Sequence, residues 1–95
     1  MDTDELELHV IFSGRVQGVF FRKTTKEIAE SLHIKGTVKN LSDGTVEVRA
    51  QGTHRHLQLL VQKLQEEFHL DPENSASLNY SDPKEPFEGF EIIYD

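Results

Sequence analysis

Residues 6–22 read Leu6-Glu7-Leu8-His9-Val10-Ile11-Phe12-Ser13-Gly14-Arg15-Val16-Gln17-Gly18-Val19-Phe20-Phe21-Arg22, and the fold is decided there. Leu6, Leu8, Val10 and Phe12 alternate with polar or outward positions, the period of a half-buried strand. From Phe21 onward the period changes: Phe21, Ile28, Ala29 and Leu32 fall on one helical stripe. Between the two lies a loop punctuated by Gly14 and Gly18. The chain therefore opens as strand, glycine loop, helix.

The same pattern reading extends to the C-terminus. Ile34 to Leu41 reads as a second strand with Val38 inward. Ser42-Asp43-Gly44 is a tight-turn signal, and Thr45 to Gln51 returns as a third strand alternating Val46, Val48 and Ala50. Thr53 is an N-cap candidate for a helix carrying Leu57, Leu60, Val61, Leu64 and Phe68 on one face. Asp71-Pro72-Glu73-Asn74 breaks that helix. Ala76, Leu78 and Tyr80 mark a short strand, 81–86 a loop with two prolines, and Gly89 to Tyr94 a closing strand. The order is β-α-β-β-α-β with one extra short strand before the last. That predicts an α+β, ferredoxin-like sandwich: an antiparallel sheet with both helices on one face. A chain of 95 residues has room for one domain, spanning 1–95.

Composition excludes several function classes. With no cysteine, disulfides, thiolate catalysis and cysteine metal sites are ruled out. The acidic start (Asp2, Asp4, Glu5, Glu7) lacks a basic region followed by an apolar stretch, so neither a secretory leader nor a membrane span is indicated and the cytoplasm is the expected compartment. A net charge of -7 opposes nucleic-acid binding, which relies on a basic surface. Yet from His9 to Lys26 the bases Arg15, Arg22, Lys23 and Lys26 meet no acidic residue. One basic window in an acidic chain suits a small anion better than a long polyanion; charges clustering by chance is the plainer alternative.

The glycine loop gives that window a chemistry. Gly14 and Gly18 permit backbone conformations that a Cβ opposes, so consecutive N–H groups can converge into an anion-binding nest. The first N–H groups of the following helix have no intrahelical partner and sit at the positive end of its dipole. Arg22, one turn in, could close the ring around a phosphate with two parallel N–H···O bonds. Val16, Val19 and Phe20, interleaved with the polar positions, are expected to anchor the loop to the core. The alternative is that both glycines only turn the chain and Arg22 makes a surface ion pair.

The run from Gly14 to Arg22 resembles the first signature of the acylphosphatase family, G-R-V-Q-G-V-x-[FY]-R, at every position. A second signature is present as Gly36-Thr37-Val38-Lys39-Asn40-Leu41-Ser42-Asp43-Gly44-Thr45-Val46, with Gly52 at its end. Thr37 departs from the family's usual aromatic, which bears on local packing. Together with element order, length and the closing Phe90-Glu91-Ile92, the likeness covers nearly the whole chain. It implies a monomeric enzyme that hydrolyses the carboxyl–phosphate bond of acyl phosphates, without metal or organic cofactor. It also implies that Arg22 binds phosphate, that Asn40 is the catalytic asparagine, and that the backbone amides of Arg15, Val16, Gln17, Gly18, Val19 and Phe20 form the cradle. Taken alone, Asn40 also reads as a turn-capping amide. The rival functions are a non-catalytic anion-binding module of the same fold and a domain of a larger carbamoyl-phosphate-handling protein.

The remaining signals carry less. His54 and His56 at i, i+2 cannot share a helix face, and no carboxylate at ligand spacing supports a metal there. His9, His33 and His69 are scattered. Asn40-Leu41-Ser42 and Asn79-Tyr80-Ser81 match the glycosylation pattern by coincidence in a chain expected to stay in the cytoplasm. Phe20 and Phe21 beside basic residues hint at base stacking, but Thr45 to Gln51 lacks the aromatics of an RNA-binding strand.

Overall fold

The computed structural model describes residues 5–94; the side chain of Val19, and residues 1–4 and 95 of the expected domain, lie outside the described part. The elements are β1 (Glu5–Phe12), α1 (Val19–Ser31), β2 (Lys35–Asn40), β3 (Val46–Thr53), α2 (His54–Glu67), β4 (Ala76–Ser81) and β5 (Phe90–Ile93). One sheet runs β4-β1-β3-β2-β5. Leu8, Val10 and Phe12 of β1, Val38 of β2, and Val46, Val48 and Ala50 of β3 are buried in one cluster. Phe21 and Ala29 of α1 and Leu57, Leu60, Val61 and Leu64 of α2 complete it. Both helices therefore cover one face, as the ferredoxin-like reading requires.

Two details of the expected sheet are corrected. The strand at 76–81 is not the extra one; antiparallel to β1, it completes the four-stranded antiparallel set. The added strand is β5, which joins parallel to β2, so the sheet is mixed. Since β4 and β5 occupy opposite edges, the connecting chain has to cross the sheet, and it does so over the open face. Gln51 anchors it there, with Nε2 donating to the Glu85 carbonyl at 2.8 Å and to Glu7 at 2.9 Å. Glu7, buried despite its outward position, also accepts from the Lys84 N–H at 3.3 Å.

At Gly36 the chains pass so closely that a Cβ would lie 1.8 Å from the Arg49 carbonyl oxygen, so only glycine fits. Thr37, the departure from the family pattern, faces the open side between Arg49 and Glu91, away from the helices. Both helices end in the same way. His33 (φ 58°) and His69 (φ 53°) take the left-handed conformation usually left to glycine. Ile34 N–H returns to Ala29 O at 2.8 Å, and Leu70 N–H to Gln65 O at 2.9 Å.

Candidate active site

The register places the site. Phe12, Val46 and Asn40 stand in one row across β1, β3 and β2, and the glycine loop leaves from the β1 end of that row. Asn40 shares the parity of Val38 and pairs with Val46, both buried in the core, so it belongs to the helix-covered face. On the other side of β2, Ile93 pairs with Lys39, which brings Tyr94 level with Asn40. The Tyr94 ring in turn carries the Arg22 guanidinium, with Cζ 4.9 Å from the ring centroid. Arg22 and Asn40, 18 positions apart in sequence, are thus drawn to one end of the sheet.

The loop is shaped by glycine where the sequence indicated. Gly14 has φ 106° and Gly18 φ 134°, conformations that L side chains rarely adopt. Gly18 is the N-cap of α1, where no side chain caps the helix and no acidic residue occupies the first turn. By contrast, α2 is capped by Thr53, whose hydroxyl accepts the His56 N–H at 3.2 Å. Among the described residues, the N–H groups of Arg15, Gln17, Gly18 and Phe20 meet no acceptor. Val16 differs, since its N–H turns back to Gly14 O at 3.0 Å. Its side chain is fully buried, as expected of an anchor. Phe20 is not an anchor: it is 74% exposed, because the core stripe passes through Phe21 and a helix turns its next neighbour about 100° away.

Two buried side-chain polar atoms among the described residues have no hydrogen-bond partner: Nε of Arg22 and Oδ1 of Asn40. A polar atom buried without a partner costs about 1–3 kcal/mol, so each such atom calls for an explanation. Asn40 is therefore not spending its side-chain carbonyl on capping the following turn. That turn holds itself, with Asp43 accepting from the Thr45 N–H at 3.0 Å and from the Thr45 hydroxyl. Those two bonds, the side-chain one foremost, hold the Asp43 carboxyl below its usual range.

Sequence reasoning missed the tie between the two halves of the site. The Gln17 side-chain amide donates to Leu41 O at 2.6 Å and Thr45 O at 3.0 Å, joining the loop to the residue that follows Asn40. A glutamine in a polar loop carries no signal of such a contact. Among the described residues no three His, Asp or Glu side chains gather as a metal site, and no helix is long and apolar enough to cross a membrane.

Comparison with known proteins follows the same lines. The family model described as Acylphosphatase matches residues 8–92. An acylphosphatase of Haloarcula marismortui is 38% identical over 84 residues, covering 88% of this chain and 91% of its own. One from Natronomonas pharaonis is 37% identical over 90 residues, covering 95% and 97%. The crystal structure of acylphosphatase from Bacillus subtilis superposes with a TM-score of 0.81 at 34% identity, covering 94% of this chain and 99% of that one.

Proposed function

The chain belongs to the acylphosphatase family and is an enzyme of acyl phosphate hydrolysis; from that premise we propose that it holds the phosphoryl group between the 15–20 loop and Arg22, while Asn40 aims the attacking water. One observation carries this reading: the unpartnered buried atoms Arg22 Nε and Asn40 Oδ1 lie on residues that the register and the Tyr94 stack draw together. A donor and an acceptor left open at one end of the sheet suit a ligand that brings both an oxyanion and a water.

The division of labour follows from the substrate. An acyl phosphate is already activated, because its leaving group is a stable carboxylate that scarcely needs protonation. Catalysis then reduces to positioning the phosphorus and neutralising charge on its equatorial oxygens. The loop N–H groups and the guanidinium donate to those oxygens. Asn40 Oδ1 accepts a hydrogen bond from water and holds it in line with the breaking P–O bond. Asparagine is a poor base, so the water proton passes to a phosphoryl oxygen, and the products are a carboxylate and inorganic phosphate. The chemistry asks for no metal or organic cofactor, and the reading has one domain acting as a monomer in the cytoplasm.

The test is phosphate release from benzoyl phosphate in EDTA, with a simple phosphate monoester as control. Arg22→Ala lowers turnover by at least ~10²-fold, since one preorganised oxyanion donor is worth about 2.7–4 kcal/mol. Asn40→Ala abolishes turnover while inhibition by inorganic phosphate persists. Near-wild-type hydrolysis by Arg22→Ala removes its role. Equal loss of rate and phosphate affinity in Asn40→Ala makes that residue a binder. Phosphate binding by the wild type without turnover leaves the non-catalytic module.

A further inference from the structure

Four large hydrophobic side chains are exposed among the described residues: Phe20 at 74%, Tyr94 at 67%, Leu78 at 48% and Ile93 at 38%. Single exposed apolar residues are ordinary, but Phe20 stands at the N-terminal turn of α1, directly after the glycine loop. Phe20 is in the first turn of α1, and Ile93 and Tyr94 lie at the end of β5, against which α1 packs. Leu78 is apart, on β4 at the opposite sheet edge. The fold has no use for the Phe20 ring. Phe12, Phe21 and Phe68 interlock, with centroids 5.4 and 4.8 Å apart, Phe90 is buried, and Phe87 is half-buried. Of the six phenylalanines, Phe20 alone stands in solvent.

We infer that the Phe20 ring is the platform for the acyl half of the substrate, so that the enzyme favours acyl phosphates with an aromatic or bulky apolar acyl group over small ones such as acetyl phosphate. The inference rests on the phosphate-site reading above. Helical side chains tilt toward the helix N-terminus, which leans Phe20 over the end where the free N–H groups of Gly18 and Phe20 lie. A phosphoryl group held by its non-bridging oxygens presents its fourth oxygen, the one joined to the acyl carbon, away from those donors. The acyl group then leaves the cradle beside the exposed ring. A planar apolar group covering part of that ring gains about tenfold in binding by removing apolar area from water, equivalent to ~1.4 kcal/mol. Acetyl is too small to cover it.

The experiment measures kcat/KM for benzoyl phosphate and for acetyl phosphate in the wild type, Phe20→Ser and Phe20→Leu, with Leu78→Ser as a surface control. The benzoyl-to-acetyl ratio falls about tenfold in Phe20→Ser and about threefold in Phe20→Leu, and stays within twofold of wild type in Leu78→Ser. A ratio within twofold of wild type in both Phe20 variants overturns the inference, as does an equal fall in Leu78→Ser. Both results leave hydrolysis itself standing. A wild type that hydrolyses neither compound instead overturns the phosphate-site reading, and this inference with it.

Discussion

Replacing Gln17 with leucine tests whether the site is held together by a side chain that does no chemistry. The wild-type amide donates to Leu41 O at 2.6 Å and to Thr45 O at 3.0 Å. Leucine keeps the bulk and removes both donors. Neither carbonyl is orphaned, because Leu41 O still receives the Gly44 N–H at 3.2 Å and Thr45 O the Leu41 N–H at 2.8 Å. Two hydrogen bonds of an exposed residue contribute about 0.5–1.5 kcal/mol each at most, so global stability drops by no more than about 3 kcal/mol. The rate is more sensitive. The tie fixes the end of β2, and hence Asn40, against the loop; a misplacement of ~1 Å at a reacting centre costs about 10²-fold. Phosphate-release kinetics on Gln17→Leu therefore give kcat lowered roughly 10- to 100-fold, with inhibition by inorganic phosphate weakened far less. Gln17→Glu, with its carboxylate facing two carbonyl dipoles, is slower still at neutral pH. It recovers part of its rate as acid protonates the carboxyl and restores one donor. A kcat within twofold of wild type in Gln17→Leu, or a phosphate affinity that falls as far as the rate, refutes the positioning argument.

Other consequences follow from single contacts. Tyr94→Ala removes the ring under Arg22 and weakens inhibition by phosphate about three- to fivefold, consistent with ~0.5–1 kcal/mol for an exposed cation–π pair; Tyr94→Phe restores it, and a phenylalanine variant as weak as alanine refutes the stack's role. His33→Gly and His69→Gly relieve left-handed backbone at both helix ends and stabilise by about 0.5–1 kcal/mol each. Thermal melts then show a gain of several degrees per site, and unchanged melting points refute the strain. Glu7 has its carboxyl held below the ordinary range, chiefly by the Gln51 hydrogen bond, with the Lys84 N–H and the Arg49 charge adding to it and burial opposing. A depressed folded-state pKa stabilises above the unfolded value of about 4.3 and is lost as pH falls through the folded one. Denaturant titrations should thus show wild type ahead of Glu7→Gln at pH 7, with the difference shrinking below about pH 4; a pH-independent difference refutes the linkage.

The sequence announced those parts of the molecule that repeat with a period. Strand alternation picked out Leu8, Val10, Phe12, Val46, Val48 and Ala50, and the helical stripe picked out Leu57, Leu60, Val61 and Leu64, all buried in the one core. Gly14 and Gly18 were legible because positive φ leaves a residue-type mark. Pairing between distant segments leaves none. That is why alternation alone makes the strand at 76–81 look like the extra one and carries no sign of the parallel seating of β5 against β2. Phe20, which interleaves with polar positions like a loop anchor, is turned outward by the helical stripe that passes through Phe21. Gln17 and Tyr94 act through contacts across 24 and 72 positions, which no local pattern encodes.

What remains is why the structure tolerates so much local disadvantage at one place. At the start of α1 the N-cap has no side chain, the first turn has no acid, and Arg22 brings positive charge to the positive end of the dipole, an arrangement costing roughly 0.3–1 kcal/mol. Two glycines, with the high backbone entropy that ordering them gives up, shape the loop there, and two buried polar atoms stay unpartnered. The same chain caps α2 conventionally with Thr53, so the sequence is not indifferent to capping. The proposed ligand set would answer these costs together: a dianion accepting from the free N–H groups and from Arg22, accompanied by a water donating to Asn40. The acidic chain, at net -7 with its basic window included, then acts in the opposite sense on what leaves. Hydrolysis turns one anion into two; in the proposed site only the phosphate half meets the donors, so the carboxylate is released into a repulsive field. Binding and release are separated by where the charges lie in the chain.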